Sequence, residues 1–316
     1  MPALKNWMNP EIDVPPEAAG RRLDRYLTAR FSYHSRTVWQ EQIEKGRILL
    51  NGLPAKASVK LKPSDRIVYN PVESSEPEVD TSYEIIYEDE FIIAVNKPAN
   101  LPVHPAGIYT ENTLVALLQK KYAVYTVNRI DRETSGIVIF ARDPATAASL
   151  AGQFEKKQVT KRYITYVYGE FPEKLTAAGY IGNDPGSAVK KKQKLFYENS
   201  SDTLQESVTE FHMSAVSGGI SRVLAFPLTG RTHQIRASLH SAGYPMVGDK
   251  IYGKNELWFL EFIDGKLNNY DIINRQALHC EYVKLTHPGS SEYLEIDCPE
   301  PEDMKNIFTL AGNMSP

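Results

Sequence analysis

From Gly20 the chain sets apolar and basic positions at helical spacing. In GRRLDRYLTARF, Leu23, Tyr26, Leu27 and Phe31 fall on one face, and Arg22, Arg25 and Arg30 fall elsewhere. The pattern predicts an amphipathic helix with a basic side. A second helix is expected to start near Ser35 or Thr37 and to run through Val38, Gln42 and Ile43 to Gly46, which is suited to the left-handed conformation that ends helices. RILLNGLPA then reads as a hairpin, because Asn51-Gly52 fits the two positive φ values of a type I′ turn. Leu61 to Val68 adds another short strand. After Asn70, PVESSEPEVDTS is rich in Pro, Ser and acid and reads as a solvated linker.

Beyond the linker, YEIIYEDEFIIAVNKP predicts two strands around an acidic turn at Glu88 to Glu90. Leu114, Leu117 and Leu118 suggest a helix, and Ile137 to Ala141 (IVIFA) a short buried strand. Ala147, Leu150, Ala151 and Phe154 recur at helical spacing before a strand at Tyr163 to Val167. Strands outnumber helices thereafter. The chain thus divides into an N-terminal extension (1–19), a small module (20–70), a linker (71–82), a large domain (83–305) and a C-terminal tail (306–316).

At 316 residues, 42% hydrophobic and 24% charged, the composition is that of an ordinary soluble globular protein with room for two domains. With no signal-peptide pattern and no run of about 18 apolar residues, a cytoplasmic protein without a membrane partner is expected. Cys280 and Cys298 are too few for a disulfide framework and are expected to be reduced. The seven histidines form neither an HExxH pair nor a zinc-spaced cluster, so no metal is expected.

A formal net charge of −3 argues mildly against nucleic-acid binding by the chain as a whole. The distribution argues otherwise. Residues 20 to 70 hold eleven Lys and Arg against four Asp and Glu, a local +7. Such a face attracts phosphates, with Arg22, Arg25, Arg36, Lys45 and Arg47 as candidate RNA contacts. Lys190 to Lys194 (KKKQK) reads as an exposed loop, either touching RNA phosphates or merely solvated.

The densest candidate chemistry is NRIDRETSG, Asn128 to Gly136. Asp131 sits between Arg129 and Arg132 on the loop entering the IVIFA strand. Neighbouring guanidinium groups favour the ionised form of a carboxyl, and an ionised carboxylate can be a nucleophile. Taken alone, an aspartate between arginines is also what a surface ion pair looks like. The glycines 230, 243, 248 and 253 read as turn residues, since no GxxxxGK[ST] or GxGxxG string accompanies them. No nucleotide cofactor is expected.

NRIDRETSG resembles HRLDxxTSG, the active-site motif of the RluA family of pseudouridine synthases. KPANLPVHP (Lys97 to Pro105), KRYITYVYG (Lys161 to Gly169) and LTGRTHQIRASLHSAGYPMVGDKIYG (Leu228 to Gly253) match further family segments in the expected order. His279 and the turn near His287 fit its closing segment. Asn128, Ile130, Asn100 and Thr165 depart from the usual His, Leu, Gly and Ala, and Asn100 can also adopt positive φ. Residues 20 to 52 resemble the RNA-binding module first recognised in ribosomal small-subunit protein four.

The resemblance implies an α+β fold: a long, mainly antiparallel mixed sheet with flanking helices and loops, preceded by a small α/β RNA-binding module. It implies isomerisation of uridine to pseudouridine without a cofactor, in ribosomal RNA or alternatively transfer RNA, by a monomer. Asp131 would be catalytic by attack on the ribose, attack on the base, or as the base in an elimination. Arg231 would pair with Asp131, Arg236 being the second candidate. Arg129 would fill the space left by a flipped uridine, Tyr163 would stack on the uracil, and Ile235 would wall the pocket. Arg132 is a further candidate RNA contact. His233 and Gln234 are expected to support the backbone or touch RNA, and His104 to be structural. The competing reading is a non-catalytic RNA-binding or ribosome-assembly protein on the same scaffold. A glycoside-type hydrolase fits less, because no second acid lies in a matching motif.

Overall fold

The computed structural model describes residues 11–31, 36–70, 76–255, 257–263, 265–267 and 270–313. They fall into two compact units, one within Met1–Pro77 together with Pro105–Glu111, the other Glu78–His104 with Asn112–Pro316.

In the first unit, strand β1 (Glu11–Asp13) precedes helices α1 (Leu23–Arg30) and α2 (Arg36–Glu44). Strands β2 (Ile48–Leu50), β3 (Leu53–Pro54) and β4 (Arg66–Tyr69) follow. The sheet order is β1-β4-β2-β3, all antiparallel. The apolar face of α1 supplies Leu23, Tyr26 and Leu27 to a core with Trp39, Ile43, Ile48, Leu61 and Ile67. Asn51 and Gly52 have φ of 52° and 80° and close the expected hairpin. Ser35, one of the two starts expected for the second helix, lies outside the described residues. Residues 11–19 are more than an extension, because β1 completes the sheet and Val14 and Ala18 are buried in its core. The last residues of the expected linker belong to the second unit: Val79 packs on its core and Asp80 N–H donates to Asn100 O. Residues 71–75 lie outside the described residues.

The second unit carries an eleven-stranded sheet. Its strands are β5 (Glu84–Glu88), β6 (Ile92–Lys97), β7 (Tyr125–Thr126), β8 (Ser135–Ala141), β9 (Thr160–Tyr168), β10 (Lys174–Asn183), β11 (Gln193–Phe196), β12 (Gln205–Ser217), β13 (Ile220–Pro227), β14 (Leu278–Thr286) and β15 (Tyr293–Asp297). The main path runs β11-β10-β12-β13-β9-β14-β8-β6-β5. Pairing is antiparallel except between β14 and β8, where His279 faces Ser135 and Cys280 faces Gly136. This is the mixed, mainly antiparallel sheet expected. Helices α3 (Leu114–Gln119), α4 (Pro144–Glu155), α5 (Gln234–Ser241), α6 (Leu257–Ile263), α7 (Glu302–Lys305) and α8 (Ile307–Asn313) complete the unit.

Strand β8 has all seven residues buried, the signature of a central strand covered on both faces. Gly136 lies at φ 107°, and a Cβ there would stand 2.2 Å from Cys280 O. Only glycine lets β8 and β14 approach so closely where the catalytic-loop candidate enters the sheet. Two further sequence expectations change. The KKKQK run is not a uniformly exposed loop, since β11 starts at Gln193 and Lys192 is buried. The C-terminal segment is not a loose tail either, because Ile307 and Ala311 pack with Met304, Ile164 and Val247 in a satellite core.

Candidate active site

Asp131 lies on the loop between β7 and β8, and several bonds fix that loop. Asn128 Oδ1 accepts from Ile139 N at 2.8 Å, so asparagine in place of the motif's histidine ties the loop to the neighbouring strand. Asp131 O accepts from Thr134 N at 3.1 Å, closing a turn. Arg132 O accepts from Leu101 N at 3.2 Å and from Lys97 Nζ at 3.1 Å. Lys97 is fully buried, and burial, then the Arg275 charge, push its ammonium well below the usual lysine range.

The Asp131 carboxylate is reached from α5. Arg236 Nη1 donates to Asp131 Oδ2 at 2.8 Å, while Arg236 Nε and Nη2 donate to the two oxygens of Asp249 at 2.6 and 2.8 Å. Asp249 is fully buried and also accepts from Ile251 N and Tyr252 N. Gln276 Nε2 contacts Asp131 Oδ2 at 3.5 Å and donates to Thr134 Oγ1. Burial alone would push the Asp131 carboxyl up, but the Arg236 charge, with His233 and the two side-chain hydrogen bonds, outweighs it and holds the group at about 2. Arg236 is held charged, burial opposing and Asp249 then favouring the cation. The arrangement is an aspartate ionised at neutral pH, 27% of its side chain open to solvent, on a cation that is itself locked from behind.

Asp131 opens into a cleft of about 660 Å³ lined by Arg129, Tyr163, Lys161, Arg231, His233, Ile235 and Leu278, among others. Tyr163 comes from β9 and Ile235 from α5, both nearly buried. Burial, then Cys280, raise the Tyr163 phenol well above its usual range, so it is neutral. Arg129 is exposed, and no acid pairs with it among the described residues. Gln234 Oε1 accepts from Thr229 Oγ1 and Arg231 N, and its amide donates to Val208 O and Thr209 Oγ1. It braces the TGRT turn, as expected for a supporting residue.

The expected pairing of Arg231 with Asp131 is corrected. Arg231 Nε donates to Glu206 O at 3.0 Å, and the guanidinium on the carboxylate is that of Arg236. Arg231 precedes α5 on the turn, whereas Arg236 is on the helix face that meets the loop. Arg132 lines a second hollow of about 390 Å³ with Glu133, Lys250, Phe262, Tyr270 and Arg275, and is not among the residues lining the Asp131 cleft. In the small unit, Arg22 and Arg36 are first of all structural. Both donate to Asp24, fully buried and also bound by Gln40, which together hold its carboxyl well below the usual range against burial. Lys45 pairs with Glu41 and Arg47 with Gln42, while the Arg25 side chain is exposed.

Asp249, Tyr252, Gln276 and Lys97 are site residues that sequence reasoning missed. Asp249 and Tyr252 lie in the GDKIYG string, where the local signal is that of the turn glycines. Gln276 carries no local signal. Among the described residues no group of three or more His, Cys, Asp and Glu side chains could hold a metal, and no helix is long and apolar enough to cross a membrane. Cys280 and Cys298 are free and buried.

Residues 91–241 match the family model described as RNA pseudouridylate synthase, and residues 21–67 match the S4 domain. The chain is 30% identical over 311 residues to an uncharacterized RNA pseudouridine synthase of Bacillus subtilis, covering 94% of this chain and 96% of that protein. It is 31% identical over 314 residues to ribosomal large subunit pseudouridine synthase D of Xylella fastidiosa, covering 94% and 91%. To the mitochondrial tRNA pseudouridine(32) synthase of Saccharomyces cerevisiae it is 32% identical over 257 residues, covering 80% of this chain and 55% of that one. The structure of human RNA pseudouridylate synthase domain containing 1 superposes with a TM-score of 0.57 at 25% identity, over 72% of this chain and 86% of that chain. With its carboxylate loop inside the matched segment, the chain belongs to the RluA family of RNA pseudouridine synthases and carries an S4 domain before its catalytic domain.

Proposed function

We propose that the protein isomerises specific uridines of large-subunit ribosomal RNA, with Asp131 as the catalytic carboxylate in the cleft between its loop and α5. The observation that carries this reading is the Asp249–Arg236–Asp131 chain, which keeps Asp131 charged and aimed at an open cleft. The names of the ribosomal relatives support the choice of RNA.

Isomerisation breaks the N1 to C1′ bond, turns the detached uracil, joins its C5 to C1′ and releases the C5 proton, while N1 takes one up. Atoms and electrons balance without an external cofactor. A uridine in structured RNA must leave its stack to reach Asp131, at a cost of a few kcal/mol. Arg129, exposed at the cleft and with no acidic partner among the described residues, would occupy the vacated space, and its planar guanidinium can stack and donate at once. Tyr163 offers the flipped base a neutral ring, with Ile235 as an apolar wall. Arg25 and the other basic groups of the S4 domain hold RNA through phosphates, and the protein acts as a cytoplasmic monomer.

Mass spectrometry of cyanoethylated cellular RNA tests the proposal, comparing a strain lacking the protein with strains complemented by wild type or Asp131→Asn. Loss of a specific pseudouridine in 23S-type RNA, restored by wild type alone, is the expected result. Loss confined to transfer RNA would overturn the substrate assignment, and an unchanged map would overturn the proposal.

A further inference from the structure

His233 stands at φ 56° and ψ 20°, immediately before α5. A bulky residue in the left-handed region persists only where its surroundings hold it. Here the holder is Tyr252: its hydroxyl lies 2.9 Å from His233 Nδ1, with the rings edge to face at a centroid distance of 5.5 Å.

The hydrogen bonds of Tyr252 determine which imidazole nitrogen carries the proton. Tyr252 is fully buried, and its oxygen accepts from Gln193 N–H at 2.6 Å. A phenol has one proton to donate, and an amide N–H cannot accept it. Among the described residues the acceptor within reach of that proton is His233 Nδ1, and a bond in this direction leaves Nδ1 unprotonated. A neutral imidazole in that position carries its hydrogen on Nε2. Burial, then the Arg236 cation, lower the basicity of the ring to about 4, in keeping with a neutral histidine at physiological pH. Nε2 meets no protein group among the described residues, yet it is not one of the buried side-chain atoms left without a partner. His233 lines the cleft together with Asp131 and Tyr163.

We infer that His233 is a fixed, neutral hydrogen-bond donor to the flipped uridine, through Nε2–H to a carbonyl oxygen of the base, and that Tyr252 is the positioning residue that fixes the tautomer. This rests on the reading of the cleft as a uridine site. Uracil offers two carbonyl oxygens. As the C1′–N1 bond breaks, its electron pair stays with the base and spreads onto those oxygens, so a hydrogen bond placed there strengthens as the charge develops. No proton is transferred, and the histidine emerges unchanged. A cation in this place would compete with Arg236 for the Asp131 carboxylate. A neutral donor can serve the base and leave that pair intact.

The test uses the full chain with ¹⁵N-labelled histidine, and tritium release from a large-subunit ribosomal RNA transcript labelled at uridine C5, the hydrogen lost on isomerisation. The wild-type spectrum is expected to show His233 protonated on Nε2 alone, without titration between about pH 5.5 and 8. Turnover of His233→Phe should fall by about tenfold or more in kcat with KM within about twofold, and His233→Gln, which keeps an N–H donor, should recover most of it. Tyr252→Phe should let both tautomers appear and lower kcat less than His233→Phe. A wild-type ring that is protonated on Nδ1 or titrates near 6.5 would overturn the inference. So would unchanged kcat in folded His233→Phe, and a change confined to KM would place the contact on a phosphate instead of the base. A wild-type protein that releases no tritium from this transcript would overturn the large-subunit reading of the substrate, while the nitrogen spectrum still reports the tautomer independently.

Discussion

Arg236 is clasped by Asp249 at 2.6 and 2.8 Å and offers its remaining nitrogen to Asp131 at 2.8 Å. The cation therefore has two duties, one to the interior and one to the Asp131 carboxylate, and substitution separates them poorly. Arg236→Met leaves Asp249 charged, fully buried and without its partner. Breaking a buried pair from one side costs about 3–5 kcal/mol, so a large drop in the denaturation midpoint should accompany the loss of turnover. Arg231→Met removes a single bond to a backbone carbonyl. Its stability should change by less than about 1 kcal/mol, and Asp131 should stay ionised. Urea titration of both variants checks the contrast, and equal destabilisation would argue against it.

The depressed acidity of Asp131 sets a pH dependence with a definite sign. Its folded value, about 2, lies below that of an unfolded aspartate, about 3.9. The stability it contributes is therefore present above the unfolded value and lost as pH falls through about 2. At neutral pH the carboxylate is charged without help from substrate. Carbon-13 NMR of the Asp131 carboxyl should give a midpoint clearly below that of a free aspartate, and kcat should show no acid limb from this group above about pH 4. A midpoint at or above 4 would mean that Arg236 does not compensate for burial.

In the S4 domain the arginines divide by partner. Arg22→Ala or Arg36→Ala strips a hydrogen-bonding cation from buried Asp24 and should destabilise that unit by about 1–3 kcal/mol. Arg25→Ala should leave thermal stability within about 0.5 kcal/mol and lower the dependence of log affinity on log salt by about one. Filter binding to ribosomal RNA across a salt series measures this. A salt slope unchanged by Arg25→Ala would remove that residue from the RNA contact.

Gly136→Ala tests the junction of β8 and β14. The new methyl would stand 2.2 Å from Cys280 O, and the residue would have to hold φ near 107°. Together these should cost more than about 3 kcal/mol, with loss of soluble protein at growth temperature. A variant with native stability would show that the two strands can separate without consequence.

The features legible in the sequence are those whose cause is local. The Asn51-Gly52 turn, the β5–β6 hairpin and the buried β8 each follow from a few adjacent residues, and Asn100 adopts the positive φ open to it. Asp131 was legible because its loop and strand form one string. The partner of Asp131 was not. Arg231 and Arg236 are five residues apart in the same motif, and which one reaches the carboxylate depends on where α5 starts and on Asp249, thirteen residues further along. The same limit hid Asp24. One of four acids among eleven cations looks like dilution of the charge, until folding brings Arg22, Arg36 and Gln40 onto it. It also hid the packing of Ile307 and the strand at Glu11–Asp13, whose partners lie far away in the chain.

The most direct measurement is tritium release from C5-labelled large-subunit ribosomal RNA by wild type and Asp131→Asn, run beside binding of the same RNA. The substitution removes the charge and hardly any volume. Wild type should release tritium, and Asp131→Asn should release none above background while binding RNA within about threefold of wild type, a difference below 1 kcal/mol. Turnover by Asp131→Asn at a measurable fraction of the wild-type rate would contradict the assignment of Asp131 as the catalytic carboxylate.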